Sequence, residues 1–187
     1  MLTSRLTTEA DLPDLTALMR LAIGKLLPDF LDPAQVAASH AIMGLDTQLL
    51  ADRTYFIVED DCALAGCGGW SRRATLYGGD HIEGLRDDAL LDSARDAAPT
   101  RAMYTHPDFV RRGVGRLILR LCEEAAAAEG FTRMQLMATM AGAPLYRACG
   151  YAELERVEKP VDGIVVPLIL MGKAISEAQP PLAREPL

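Results

Sequence analysis

The chain has 187 residues, half of them hydrophobic, with a formal net charge of −7 at pH 7. That length allows one sizeable core and composes a single domain over residues 1–175. The acidic balance excludes a general nucleic-acid binder, whose footprint is basic overall, while a local basic pocket for one small anion stays compatible.

Residues 2–6 read as a first strand. Thr8, with Asp11 three positions on, resembles a helix-start signature; the helix carries apolar positions at Leu12, Leu15, Leu18, Met19, Ala22 and Ile23 and ends near Gly24. Asp32 before Pro33 is an N-cap candidate for a second helix running towards Gly44. Residues 55–58 form a strand, 59–61 a tight turn and 63–71 the antiparallel partner. Gly66, Gly68 and Gly69 weaken that partner and predict a bulge or a close approach by another element. Residues 72–100 show no sustained period and form a long excursion with a short helix near 88–94.

Residues 101–105, bounded by Pro99 and Pro107, are a strand that delivers the chain into a loop. The helix from Gly113 stops near Gly130, and a strand at 133–138 and a helix at 141–149 follow. Two last strands occupy 151–157 and 164–171. Residues 176–187 hold Pro180, Pro181 and Pro186 and read as a mobile tail.

Cys62, Cys67, Cys122 and Cys149 contain no C-x-x-C pair and no histidine at metal-ligand spacing, so neither a zinc site nor a disulfide framework is expected. No run approaches the roughly 20 apolar residues that span a bilayer, and no basic segment followed by an apolar run opens the chain. The expectation is a cytoplasmic protein without metal and without a membrane partner.

The stretch from His106 to Glu124 organises the chain. Turn chemistry gives way to Arg111, Arg112, Gly113, Val114, Gly115 and Arg116, and then to a helical period at Val114, Leu117, Ile118, Leu121 and Cys122. The first turn of a helix leaves N–H groups unpaired at the positive end of its dipole, so an anion gains several donors there. Gly113 and Gly115 permit unusual backbone angles and let a bulky oxyanion sit against the amides. A phosphate or pyrophosphate is the simplest occupant. A dinucleotide fingerprint would need glycine where Ile118 stands, and no Walker A loop occurs.

This loop resembles the acetyl-CoA pyrophosphate loop of the GNAT acetyltransferase superfamily, Q/R-x-x-G-x-G/A, with Val110 departing from the pattern in the Q/R slot. Two further features carry the resemblance: the order strand, two helices, three strands, helix, strand, helix, two strands, and the segment Leu145-Tyr146-Arg147-Ala148-Cys149-Gly150-Tyr151, which matches L-Y-x-x-x-G-[FY]. The resemblance implies an α/β fold with a mixed, mostly antiparallel central sheet flanked by helices and parallel strands splayed at the cofactor site. It implies an N-acetyltransferase that moves the acetyl group of acetyl-CoA to an amine acceptor, small molecule or peptide, in a ternary complex. A non-catalytic CoA-binding sensor is the alternative, and a homodimer is left open.

By the same resemblance, the amides from Arg111 to Arg116 hold the pyrophosphate, and the backbone of Met103, Tyr104 and Thr105 pairs with the pantetheine arm. Tyr146 stands near the sulfur as its proton donor, a reasonable role for a phenol of ordinary pKa about 10 facing a thiolate whose acid lies near 8.5. Residues 101–105 contain no carboxylate to act as base. His106, Asp108, Asp80, His81 and water remain the candidates, although His-Pro followed by Asp commonly marks a turn. Trp70 either lines an acceptor pocket or belongs to the core.

Overall fold

The computed structural model describes residues 1–80 and 86–175; His81 and the expected tail at 176–187 lie outside the described residues. Strands β1 (Leu2–Leu6), β2 (Tyr55–Asp60), β3 (Ala63–Trp70), β4 (Ala98–Thr105), β5 (Arg133–Thr139), β6 (Ala152–Val161) and β7 (Ile164–Ala174) form a sheet in the order β1-β2-β3-β4-β5-β7-β6. Every neighbouring pair is antiparallel except β4 and β5. Helices α1 (Leu12–Leu26), α2 (Pro33–Ile42), α3 (Thr47–Ala51), α4 (Val114–Ala128) and α5 (Ala143–Ala148) cover its faces.

The predicted helix starts are realised by their caps. Asp11 accepts from the Thr8 amide at 2.8 Å, and Pro13 falls in the first turn of α1. At α2, Asp32 accepts from the Gln35 amide at 2.8 Å while the Gln35 side chain takes the Asp32 amide at 3.1 Å, a reciprocal pair that satisfies two end donors. Two hairpins turn on residue pairs with positive φ, Asp61-Cys62 and Asp162-Gly163, the signs of a type I′ connection. Both turns tighten the hairpins beyond the sequence reading, carrying β2 to Asp60 and β6 to Val161.

One face of the sheet is sealed by α4, whose Val114, Ile118, Leu119 and Cys122 are buried with Trp70, Met134 and Met171. The other is covered by α1, where Leu15, Leu18 and Met19 pack with Tyr55, Ile57, Cys67 and Tyr104. Burial of that many aliphatic side chains, each contributing about 1.5–3 kcal/mol, is the main stabilising force. Trp70 is a core residue, 1% exposed, with its ring 5.9 Å from that of Phe131.

Glycine lets α4 lie close to β3. A Cβ on Gly66 would come within 2.6 Å of Val114, and one on Gly68 within 2.5 Å of Ile118. Both expectations for this strand hold, because its pairing with β4 also shifts register between Cys67 and Gly69.

Two expectations are corrected and one element is added. There is no helix at 88–94: Leu90 makes an isolated bridge to Arg73, and a hydrogen-bonded turn, with the Arg95 amide donating to Asp92 O at 2.9 Å, occupies the end of the segment. Strand β4 begins at Ala98, passing through Pro99, whose carbonyl accepts from Ser71 at 2.8 Å. Proline marks a boundary only where its missing N–H is needed. Between α2 and β2 lies a short helix, α3, that the sequence reading left as connection.

Candidate active site

The site grows from the one parallel pair. Strands β4 and β5 are in register only over Ala98–Thr100 against Met134–Leu136, after which they diverge. The cause is local: Ala102 adopts a left-handed φ of +48°, and its carbonyl turns to accept from the Tyr55 hydroxyl at 3.1 Å. A bulge of this kind bends its strand and redirects the side chains beyond it. Residues 101–105 therefore keep β3 on one side, with Cys67 opposite Tyr104 and Gly66 opposite Thr105, and have no strand partner on the other. In the opening sits a cavity of about 100 Å³, with Met103, Tyr104, Thr139 and Tyr146 among its lining and residues from the α2–α3 connection and the Leu76–Gly78 segment above it.

The loop after β4 leads directly to α4. His106 Nδ1 accepts from the Asp108 amide at 3.2 Å, and Phe109 closes a single 3-10 turn. Arg111 and Gly113 both take positive φ, +65° and +88°. Such backbone reversals turn successive N–H groups toward a common concavity. Leu117 donates to Gly113 O at 2.9 Å, so the amides of Val114, Gly115 and Arg116 precede the first hydrogen bond of the helix. The Arg112 amide is spent on Phe109 O at 3.4 Å, and its side chain lies 3.7 Å from Asp60 and over the Phe109 ring. Arg111 and Arg116 are exposed and make no ion pair among the described residues.

The two glycines of this loop do different work. Around Gly113 there is open space within 4 Å of where a Cβ would stand, so its φ alone demands glycine. At Gly115 the reason is packing, since a Cβ would lie 2.6 Å from Leu145 Cδ2 and 3.2 Å from Met103 Cε. This close approach ties the start of α4 to α5. Val110, in the slot the family fills with Gln or Arg, is 41% exposed.

Tyr146 projects from α5 toward the cavity. Its ring packs edge-on against Tyr151 at 6.1 Å and against Gly142, where a Cβ would stand 2.8 Å from Tyr146 Cε2. The hydroxyl has no hydrogen-bond partner among the described residues, and burial raises its pKa above the ordinary phenol value. The phenol is thus held protonated at neutral pH. Thr139 Oγ1 accepts from the Gly142 amide at 3.1 Å.

The candidate bases among the described residues, Asp80, His106 and Asp108, are not part of the cavity lining. His106 and Asp108 serve their own turn, and the Asp108 side chain is 85% exposed. Asp80 accepts from the Thr47 amide at 3.0 Å and pairs with Arg86, which pins the Leu76–Asp80 segment to the start of α3. Two residues absent from the sequence reading stand closer. Arg101, 3% exposed, lines the cavity, and its Nη2 lies 2.9 Å from Oδ2 of the fully buried Asp46. Burial opposes charge on both, raising the Asp46 pKa and lowering that of Arg101. The one available signal was a charged residue inside a strand that leads to a functional loop.

Solved N-acetyltransferase structures share this fold. A GCN5-related N-acetyltransferase from Rhodopseudomonas palustris superposes with a TM-score of 0.69 at 18% identity, over 92% of this chain and 95% of that one. A GNAT superfamily phosphinothricin acetyltransferase from Sinorhizobium meliloti, in complex with acetyl-CoA, gives 0.64 at 18% identity over 100% and 93%. A ribosomal-protein-alanine N-acetyltransferase from Brucella melitensis gives 0.61 at 20% over 92% and 99%. No curated relative matches the chain. These likenesses show the fold. Residues 51–153 match the acetyltransferase (GNAT) domain, and the chain belongs to the GNAT family.

Proposed function

We propose that the protein transfers the acetyl group of acetyl-CoA directly to a primary amine in a ternary complex. The observation that carries this reading is the opening of β4 from β5 at Ala102, with a phenol at its inner end and an unpaired helix start at its mouth. The open space around Gly113 and the free amides of Val114, Gly115 and Arg116 fit a diphosphate, with Arg111 and Arg116 adding charge. Arg112 contributes to holding the loop through Asp60 and Phe109 rather than as a free cation. The free edge of Met103, Tyr104 and Thr105 fits the amide-bearing pantetheine arm as an added strand.

In the reaction the amine nitrogen attacks the thioester carbonyl carbon, the C–S bond breaks, and the sulfur takes a proton from the Tyr146 hydroxyl. The proton lost by the amine passes to water, and water returns one to the Tyr146 phenolate, since β4 itself carries no carboxylate. Backbone N–H groups of the free β4 edge stabilise the developing oxyanion. Direct transfer is favoured over an acyl-enzyme because no cysteine lines the cavity among the described residues. Cys67 and Cys122 are fully buried, with the Cys67 pKa pushed up to about 12, and a buried neutral thiol is a poor nucleophile.

The absence of a carboxylate from β4 favours a second reading, a CoA-binding sensor without turnover. Thiol release from acetyl-CoA across a broad panel of primary amines separates the two. The enzyme reading predicts amine-dependent release. Tight CoA binding with no release for any amine sinks it, and an acetylated protein trapped without acceptor sinks direct transfer.

A further inference from the structure

Arg101 is the charged residue of the cavity: no Asp, Glu, Lys or His lines it among the described residues. Its position follows from the bulge. Because Ala102 inserts an extra residue in β4, Arg101 and Tyr104 fall on the same side of the sheet, and Arg101 is directed toward α3 and the cavity beside it. The side chain is 1% exposed.

An arginine offers five N–H groups on three nitrogens. Here only Nη2 has partners, Asp46 at 2.9 Å and Gln48 Oε1 at 3.3 Å. Nε and Nη1 are buried with no hydrogen-bond partner. Leaving charged donors unpaired in a dry site is costly, and a group that brings acceptor oxygens into the cavity removes that cost. Asp46 does not cancel the charge alone, since it is shared with Arg86 at 3.5 Å, and Arg86 in turn pairs with Asp80. The cluster of two arginines and two aspartates is neutral in sum, yet it turns its positive member to the cavity.

The rest of the lining is apolar or neutral, including Ile42, Met43, Leu76, Met137 and Leu168. The volume of about 100 Å³ is small against the 300–1,000 Å³ of pockets for drug-sized ligands. The thioester end of the cofactor shares this opening, so only a compact group fits beside it.

We infer that the acceptor is a small amino acid or equivalent short amine bearing a carboxylate, which the Arg101 guanidinium receives while the amine is presented beside Tyr146. This rests on the acetyltransferase reading for its amine and on the geometry of Arg101 for its anion. It disfavours diamines and other purely cationic acceptors, whose charge would face the guanidinium.

The test compares glycine, β-alanine and 4-aminobutyrate with their carboxamides, 1,3-diaminopropane, and a short peptide with an acidic second residue, by thiol release at saturating acetyl-CoA. At least one free amino acid is expected to exceed its carboxamide in kcat/KM by about 10- to 100-fold, the range of a charge-assisted hydrogen bond. Preference for the acidic peptide over free amino acids would keep the anion site and overturn the small acceptor. Equal rates for acid and amide, or preference for the diamine, overturn the anion site.

Arg101→Gln should abolish the acid-over-amide ratio, whereas a merely structural arginine would lower both rates together. If that variant fails to fold, Asp46→Asn/Arg101→Gln removes both buried charges and must lose the same ratio. Thermal shift of the CoA-loaded protein with each acid and amide gives a second readout. A carboxylate-dependent shift without turnover keeps the anion site and removes the acetyltransferase reading; turnover without discrimination does the reverse; neither shift nor turnover overturns both.

Discussion

Replacing Tyr146 by Phe removes one oxygen and little else. The edge-on contact with Tyr151 at 6.1 Å and the packing against Gly142 belong to the ring and survive the change. Because the hydroxyl has no partner among the described residues, stability should move by less than about 0.5 kcal/mol. Loss of a general acid, in contrast, lowers turnover by about 100- to 10,000-fold, of which the lower bound equals about 2.7 kcal/mol of transition-state stabilisation.

The assay is thiol release under saturating acetyl-CoA and amine, with CoA affinity measured by calorimetry and unfolding by urea on the same preparations. kcat should fall while Kd for CoA and the urea midpoint hold. Since burial keeps the wild-type phenol protonated, its kcat should not decline as pH passes 10. A variant with full turnover and intact affinity would refute the acid role, and one that unfolds would refute the packing account.

Gly113→Ala places a Cβ at φ +88°, where the left-handed conformation costs an L-residue about 1–2 kcal/mol; both the urea midpoint and CoA affinity should fall, without a steric clash to blame. Asp46→Ala leaves the buried Arg101 uncompensated and should destabilise by about 3–5 kcal/mol in equilibrium unfolding, with a change below about 1 kcal/mol showing that the pair is not electrostatically coupled. At alkaline pH, Tyr55, Tyr104, Tyr146 and Tyr151 act together. Burial raises each pKa in the fold, so their contribution is whole below the unfolded phenol value of about 10 and is lost as pH rises above it; stability that stayed level from pH 9 to 11.5 would contradict their burial.

Much of this site was readable because its signals are local. A glycine between arginines and an apolar 3.6-residue period marks a helix start wherever the chain places it, and Gly113 caps α4 accordingly. Tyr146 was reached by motif, and its ring lines the cavity. What escaped was non-local or too short to show a period. Helix α3 has only five residues, and the Arg101–Asp46 contact joins distant parts of the chain through a bulge that nothing in the tripeptide Arg101-Ala102-Met103 announces. Pro99 misled in the opposite direction, since its position in β4 costs no needed donor. Gly66 and Gly68 were read for a close approach, which Val114 and Ile118 supply, whereas Gly115 was read for backbone freedom and room for an oxyanion, and its neighbour Leu145 supplies the stronger reason.

The central claim is that one ligand spans the start of α4 and the free edge of β4, and a crystal structure of the protein with CoA tests it most directly. The diphosphate should lie against the amides of Val114, Gly115 and Arg116, the pantetheine amides should pair with Met103 to Thr105, and the sulfur should come within hydrogen-bonding reach of the Tyr146 hydroxyl. A diphosphate bound away from that helix start, or a sulfur directed out of the opening between β4 and β5, would contradict it.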